Sequence, residues 1–380
     1  MNMKIYGRRL NTLHLSIMLA ISWMAIPKVS ATAVIWNLKS RFGDINQAAI
    51  VRAISEAKKY FAKHPSDTVV IEFDAGTYPL SAPTNGDKGI IELSGVKPGP
   101  AGRLVLRGAG MDKTTLVFDP AADQIYGKDV HQISFIGFHM TRKDYSVSQG
   151  HVMAVASGHI DLEIQSGFPT PQDIFNPDSG QGRYLRRYTD SRSDPQLILK
   201  DNDQIPWKTA QLIAGRRWRI NLKQTTRLAN YKPGDLVGIK SKHGGQTYWI
   251  SGGSDFVFEE VKWTQESRGV FRGGFNKIRI SRCVVERAPA LEGQVPCLST
   301  PGGGPQIGQP RDPPTAGNLV EDCSMTATGD DSIAFFNASG TIRNCHIADC
   351  FGRGILLYHS PVAHLENNTL IRSVMLKEGK

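Results

Sequence analysis

The chain has 380 residues, 40% of them hydrophobic and 21% charged, with a formal net charge of +10. This length is enough to bury a large core and to form one to three domains. The positive charge favours anionic partners, but no recognisable nucleic-acid-binding motif accompanies it, so nucleic acid is not expected as a partner.

The first 33 residues have the pattern of a signal peptide. Three basic residues lie among the first nine, an apolar run covers 15–27, and an A-x-A cleavage site follows at 31–33. The apolar run is too short to span a bilayer comfortably, and an uncleaved N-terminal anchor is the alternative interpretation. No later segment is apolar enough to cross a membrane. We therefore expect a secreted or periplasmic protein with no membrane span in the mature chain.

A helix is predicted over 48–61, because apolar residues recur on one face at helical spacing. Asp44 and Asn46 are candidate caps at its start. Such a helix can cover the first strands of a sheet, whose open edges would otherwise aggregate. Short strands are predicted after it, at 69–73, 104–106, 115–118 and near 133–138.

The chain after Phe256 repeats a six-residue strand pattern of apolar, polar, polar, small or apolar, polar and apolar residues. The five copies are FEEVKW, ISRCVV, VEDCSM, IRNCHI and LENNTL. Their fourth positions are separated by 22, 40, 22 and 23 residues, and they are Val261, Cys283, Cys323, Cys345 and Asn368. A period near 22 with short strands is typical of a solenoid in which each repeat is one rung, and the interval of 40 is one repeat plus an insertion.

The repeat predicts an all-β fold, a right-handed parallel β-helix whose first rung is capped by the helix; a stacked sheet sandwich is the alternative. The period disappears over 157–253, which indicates an inserted β module. The predicted organisation is a signal peptide at 1–33, a cap and first rungs at 34–156, the module at 157–253, and further rungs at 254–380. The module's arginines and aromatic residues could bind a sugar chain, or they could be ordinary strand residues.

Three of the five cysteines, Cys283, Cys323 and Cys345, are predicted to form one buried column inside the coil. Thiols stacked side by side do not have the geometry of a disulfide, so they should be reduced. Cys297 and Cys350 lie off the column and could pair. No CxxC pair or histidine cluster accompanies the cysteines, so neither a metal site nor a cofactor is expected.

The candidate site lies on the turns between predicted strands. Asp330 and Asp331 follow the Cys323 strand in TGDDSIAFFN, and Arg353 in FGRGILLYHS occupies the same height one rung later. Two adjacent carboxylates flanked by arginines on one ledge could provide acid/base catalysis. We expect Asp312, in a proline-rich loop, as a third catalytic carboxyl. The candidate substrate-binding residues are Arg353, Arg268 and His359. The alternative is that GDD is a simple turn.

TGDDSIAF followed by GRGI resembles the G-D-D and G-H-G pair of family 28 glycoside hydrolases, the polygalacturonases. The order of YKPGDLVGI, DFVFEEVKW and the D-D turn is more similar to family 110, the α-galactosidases. The resemblance implies hydrolysis with inversion on aspartates, and Asp330 and Asp331 match the catalytic pair. Two positions depart from it: Gly303 stands where both families have a further aspartate, and Arg353 stands where polygalacturonases have histidine.

These features predict an exported glycoside hydrolase that acts on a poly- or oligosaccharide by inverting acid/base chemistry, similar to an α-galactosidase. A polysaccharide lyase or epimerase on the same fold is one alternative. A non-catalytic glycan-binding protein is another, and the fold alone cannot choose among the three.

Overall fold

A computed structural model describes residues 32–84, 86–175, 183–199, 204–241, 247–310, 313–360, 362–373 and 377–378. The predicted leader lies outside this part of the chain except for Thr32 and Ala33, which join the first rung: Ala33 begins the strand Ala33–Asn37 and the amide of Thr68 donates to the Thr32 carbonyl. None of the helices described has the length and hydropathy of a membrane span.

The predicted capping helix is confirmed at Gln47–Phe61, and a short helix at Leu38–Phe42, which the sequence did not predict, precedes it. The second helix starts after Asn46, whose side chain accepts the amide of Ala49 at 3.0 Å, so the capping prediction holds at Asn46. Its apolar face packs into the core of the coil and comprises Ala49, Ile50, Ala53, Ile54, Ala57 and Phe61.

Apart from the helices and the inserted module, the chain winds through three parallel sheets, here called sheets A, B and C, in the order A, B, C along each rung. Three long strands pass through more than one sheet: Asp123–Arg142, Tyr248–Thr264 and Phe271–Ser281. Sheet A also contains Ala33–Asn37, Thr68–Glu72, Arg103–Arg107, Thr315–Glu321, Ala338–Arg343 and Ala363–Glu366. Sheet B also contains Gly76–Leu80, Thr114–Phe118, Val284–Val285, Ser324–Thr326, His346–Ala348 and Thr369–Ile371. Sheet C also contains Gly89–Glu92, Pro305–Gly308, Ile333–Phe336, Ile355–Tyr358 and Lys377–Glu378. The predicted parallel solenoid is confirmed.

The six-residue pattern of the repeat comes from a sharp corner between sheets A and B. Its third residue adopts a left-handed backbone conformation in every copy, with φ between 52° and 54°, at Glu260, Arg282, Asp322, Asn344 and Asn367. One such residue is enough to turn the chain, because it redirects the strand without breaking the ladder on either side. The first, fourth and sixth residues of each copy can therefore all point inward.

The predicted column of fourth positions is confirmed by the strand register. Lys262 pairs with Val284, Val284 with Ser324, Ser324 with His346, and His346 with Thr369. The preceding residue of each copy is consequently aligned from Val261 to Asn368. The last residue of the column, Asn368, is polar. Its side chain is hydrogen-bonded within the coil, because Asn368 Oδ1 accepts the amide of Cys345 at 3.0 Å.

All five cysteines are free and buried, so the suggested pairing of Cys297 with Cys350 is wrong. The two lie in different apolar clusters, which keeps their thiols apart. Thiol titration of the denatured, non-reduced protein should therefore count five reactive thiols. A count of three would indicate a disulfide and contradict the structure.

The inserted module is a closed antiparallel sheet whose strands lie between residues 147 and 240. Its strands are Val147–Ala156, His159–Ile164, Tyr184–Tyr188, Ile205–Ala214, Arg217–Leu222 and Leu236–Lys240, with a short 3₁₀ helix at Leu228–Asn230. These bounds correct the predicted 157–253. Val147–Ala156, which the predicted organisation places with the first rungs, belongs to the module, and Tyr248–Ser251 already pairs with Ile125–Lys128 of sheet C.

Candidate active site

The turn from sheet B to sheet C carries Asp330 and Asp331, between Ser324–Thr326 and Ile333–Phe336. Backbone hydrogen bonds stack this turn between its neighbours: Gly304 N donates to Asp331 O at 3.1 Å, and Ser332 N donates to Arg353 O at 2.9 Å. Arg353 therefore lies one rung beyond Asp331, as the repeat predicts. We call this stack of turns the ledge.

Asp331 is held by Arg353 in a bidentate ion pair. The Arg353 Nε and Nη2 atoms lie 2.7 and 2.8 Å from the two carboxylate oxygens, and the Arg353 amide donates to Oδ1 at 3.0 Å. The Asp331 side chain is only 4% exposed, whereas that of Arg353 is 36% exposed. Burial raises the pKa of Asp331 above its usual value, and Arg353 opposes the rise without cancelling it. Asp331 is therefore a buried, partnered acid rather than an open turn residue.

Asp330 is the more accessible of the two carboxylates, at intermediate burial. Its Oδ1 accepts the amide of Asp331 at 3.1 Å. Of the two aspartates, Asp330 is the better placed to exchange a proton with a ligand on the ledge.

A buried network beneath the ledge fixes both site residues through their backbone. The Cys350 thiol lies 3.0 Å from the Asp330 carbonyl oxygen and 2.9 Å from that of Arg353. Thr328 Oγ1 lies 3.1 Å from the Asp330 carbonyl oxygen and 2.7 Å from Ser332 Oγ. A satisfied polar network of this kind rigidifies what it supports. The sequence identified Cys350 only as a possible disulfide partner.

The other predicted site residues are placed differently. Strand register aligns Arg268 with Gly302, and Gly302 with Asp330, so Arg268 is on the ledge but two rungs away. His359 is exposed at the far end of Ile355–Tyr358, the strand that begins after Arg353, so the structure does not bring it to the aspartates. Asp312 lies outside the described residues.

Gly303 occupies the position next to Asp331 on the preceding rung, as the resemblance requires. A Cβ atom there would collide with the carbonyl oxygen of Asp331 and would lie 2.8 Å from Gln306 Nε2. The rungs approach too closely at this point for any side chain. The aspartate of the resembling families therefore has no equivalent at residue 303.

The module contacts the ledge through two buried cations that sequence reasoning missed. Lys240 Nζ donates to the carbonyl of Gly329, and Arg186 Nη1 donates to the carbonyl of Phe351. The hypothesis that the module's arginines bind a sugar chain is wrong for Arg183, Arg186 and Arg187, because all three are buried. The only signal in the sequence was the clustering of RYLRRY, which does not distinguish a buried contact from an exposed one.

A second charged cluster lies where the chain enters and leaves the module. Glu266 is completely buried, and its Oε2 accepts hydrogen bonds from Gln124 at 2.6 Å and Thr247 at 2.7 Å. Arg142 Nε lies 3.5 Å from the same oxygen. Burial raises the pKa of Glu266, with Arg142 and the two hydrogen bonds opposing the rise.

Among the described residues, no group of three or more histidine, cysteine or acidic side chains could hold a metal ion.

The raised pKa of Glu266 predicts a pH-dependent stability. A carboxyl whose folded pKa exceeds its unfolded value stabilises the fold at low pH and loses that contribution as pH rises through the folded value. Glutamine at residue 266 does not titrate. As pH is raised from 4 to 7, the free energy of unfolding of the natural protein should therefore fall relative to that of Glu266→Gln. Urea unfolding of both proteins across that range measures it, and parallel curves would contradict the assignment.

Comparison with known proteins supports the parallel coil. Residues 239–375 match the family described as right handed beta helix region. No curated protein sequence matches the chain.

Three solved structures illustrate the structural similarity. The Agl-KA catalytic domain matches with a TM-score of 0.39 at 11% identity over 92% of this chain and 49% of that one. A putative glycosyl hydrolase from Parabacteroides merdae matches with 0.32 at 9% identity over 88% and 97%. A mannuronan C-5 epimerase A-module from Azotobacter vinelandii matches with 0.27 at 12% identity over 91% and 99%. The chain thus spans about half the length of the first of these. Together with the sheet topology, the family match confirms an all-β, right-handed parallel β-helix.

Proposed function

We propose that the protein is a carbohydrate-active enzyme, a glycoside hydrolase that cleaves a poly- or oligosaccharide with inversion and is similar to an α-galactosidase. The observation that carries the proposal is the geometry of the ledge. A half-buried carboxylate, Asp330, adjoins a buried carboxylate, Asp331, which a partly exposed arginine pairs at 2.7 and 2.8 Å. Rigid placement of a proton-transfer group beside a fixed charge is what acid/base catalysis requires.

The Asp331–Arg353 pair favours hydrolysis over β-elimination. A lyase that used Arg353 as its base would need the neutral form of this side chain to remove a proton from the sugar. Burial lowers the pKa of Arg353, but the hydrogen bond and charge of Asp331, together with the charges of Asp330 and Cys350, raise it by more, so the pKa of Arg353 is raised overall. Arg353 is consequently a poor base and suits the binding of an anionic group or developing negative charge.

We assign proton transfer to Asp330 and positioning to Asp331, whose carboxylate holds Arg353. An inverting hydrolase also needs a second working carboxyl, about 6.5–9.5 Å from the first, to leave room for water. Asp312 is our candidate for that group. The predicted signal peptide would direct export to the periplasm or the medium. Export would bring the enzyme into contact with its polysaccharide substrate.

The assay that tests the proposal separates the three classes of function by product. The purified protein is incubated with oligosaccharides that end in α-1,3-linked galactose and with a panel of plant and bacterial polysaccharides. Release of reducing sugar without absorbance near 235 nm supports a hydrolase. An unsaturated product that absorbs there shows a lyase, and tight binding without any product shows a glycan-binding protein; either result overturns the proposal.

A further inference from the structure

We infer that the inserted module positions the candidate site, with Lys240 as its principal positioning residue; the inference rests on the function proposed above. The module would thereby act on the ledge without touching a substrate. The contacts of its two buried cations support this role.

Lys240 reaches from the last strand of the module, Leu236–Lys240, to the turn that carries the aspartates. Its ammonium group donates to the carbonyl of Gly329, the residue that precedes Asp330. The Lys240 Nζ atom also lies 4.5 Å from the ring centroid of Phe351 and 5.3 Å from that of Tyr184. Lys240 is only 3% exposed, so its charge depends on these partners rather than on water.

Arg186 makes the equivalent contact one rung later. It donates to the carbonyl of Phe351, two residues before Arg353, and its guanidinium lies 5.2 Å from the Phe351 ring centroid. Arg186 is completely buried. The two cations therefore hold the two successive turns that present Asp331 and Arg353 to each other.

The placement of these contacts indicates that the module positions the turns of the site and does more than attach itself to the coil. Burying two cations is costly, and an interface that only joined the module to the coil could be apolar. Here both cations donate to carbonyl groups of the turns that carry the site. A small shift of either turn would misalign the bidentate pair, whose two distances differ by only 0.1 Å.

The test compares Lys240→Met, which removes the donor and charge but keeps an apolar stem, with Arg187→Met as matched control. Arg187 is buried in the strand Tyr184–Tyr188 and lies 3.7 Å from Asp235 of the module itself. We expect Lys240→Met to lower kcat by roughly 10- to 100-fold with KM unchanged, the effect of a small misplacement. Lys240→Arg should restore most of the loss, and Arg187→Met should lower kcat little.

Amide hydrogen exchange provides a readout that does not depend on activity. In Lys240→Met the amides of Ser332 and Arg353, which donate at 2.9 and 3.0 Å across the ledge, should exchange at least about tenfold faster. In Arg187→Met they should not. If Lys240→Met does not fold, Phe351→Leu replaces it, because it removes the ring that contacts both Lys240 and Arg186. The amides of Ser332 and Arg353 should then exchange faster in Phe351→Leu as well.

The outcomes distinguish the two proposals. Faster exchange with an unchanged kcat, or equal effects of Lys240→Met and Arg187→Met, would overturn the positioning role while leaving the hydrolase intact. If the natural protein cleaves no glycan, the proposed function fails. In that case the exchange pattern alone decides whether Lys240 orders the ledge.

Discussion

Replacing Asp330 with asparagine is expected to lower turnover about 10²- to 10⁴-fold, the usual contribution of a positioned proton-transfer group. The free energy of unfolding should hardly change, because Asp330 is half-buried and its Oδ1 contact to the Asp331 amide can be kept by the asparagine oxygen. The measurement is kcat on the cleaved oligosaccharide together with urea unfolding of the same sample. A stability loss without an activity loss would show that GDD is a turn and nothing more.

Asp331→Asn should behave differently, because it should lower the free energy of unfolding as well as turnover. Its carboxylate is 4% exposed and bound by Arg353, and breaking a buried ion pair costs about 3–5 kcal/mol. Because Arg353 remains partly exposed to water, we expect the lower end of that range. Turnover should fall as well, since Arg353 loses the partner that holds it.

The chain contains a matched control for this change. Asp349 is also 4% exposed and is paired by Arg372 at 2.7 and 2.9 Å, but its carboxylate accepts the amide of Leu197 in the module. Asp349→Asn should therefore cost similar stability and little activity per folded molecule. Equal losses of activity in the two variants would indicate that the Asp331 pair has only a structural role.

Gly303→Ala is expected to destabilise the coil strongly, by at least about 3 kcal/mol, because the added methyl group collides with the Asp331 carbonyl oxygen. Neither that oxygen nor Gly303 can retreat, since Gly304 N donates to Asp331 O at 3.1 Å and Val270 N to Gly303 O at 3.0 Å. An aspartate at residue 303 should be worse still, so this change cannot restore the carboxyl of the resembling families.

Gly269→Ala is the control, in the same column one rung earlier. There a Cβ atom would meet the Gly303 carbonyl oxygen at 3.2 Å, a tight contact that a small shift relieves. Thermal unfolding of both variants makes the comparison. If the two are equally stable, the rungs are more loosely spaced at the ledge than the structure shows.

The coil could be predicted from sequence because its geometry repeats. One rung places the same residue types at the same corner, so the column from Val261 to Asn368 and the one-rung offset of Arg353 from Asp331 both follow from counting. Counting fails where the repeat is interrupted. The sequence places 147–156 with the first rungs, whereas Val147–Ala156 is the first strand of the module.

The side-chain environment of the site could not be predicted. The pattern GDD does not say which aspartate is buried, and the bidentate geometry depends on the exact height of Arg353 across the ledge. The contacts of Lys240 and Arg186 depend on how a module with no repeat packs on the coil. Long-range packing of this kind leaves no local pattern in the chain.

The insertion of the module between two paired strands also affects how the chain reaches its fold. Pairing Ile125 with Tyr248 closes a loop of roughly 120 residues, and the entropy lost on closure grows with loop length. The first and last strands of the module are hydrogen-bonded to each other, with Val147 opposite Lys240. Once the module has folded from its own local hairpins, it brings the two halves of the coil together and leaves only short connections to close. Its folding rate should therefore limit how fast the central rungs assemble.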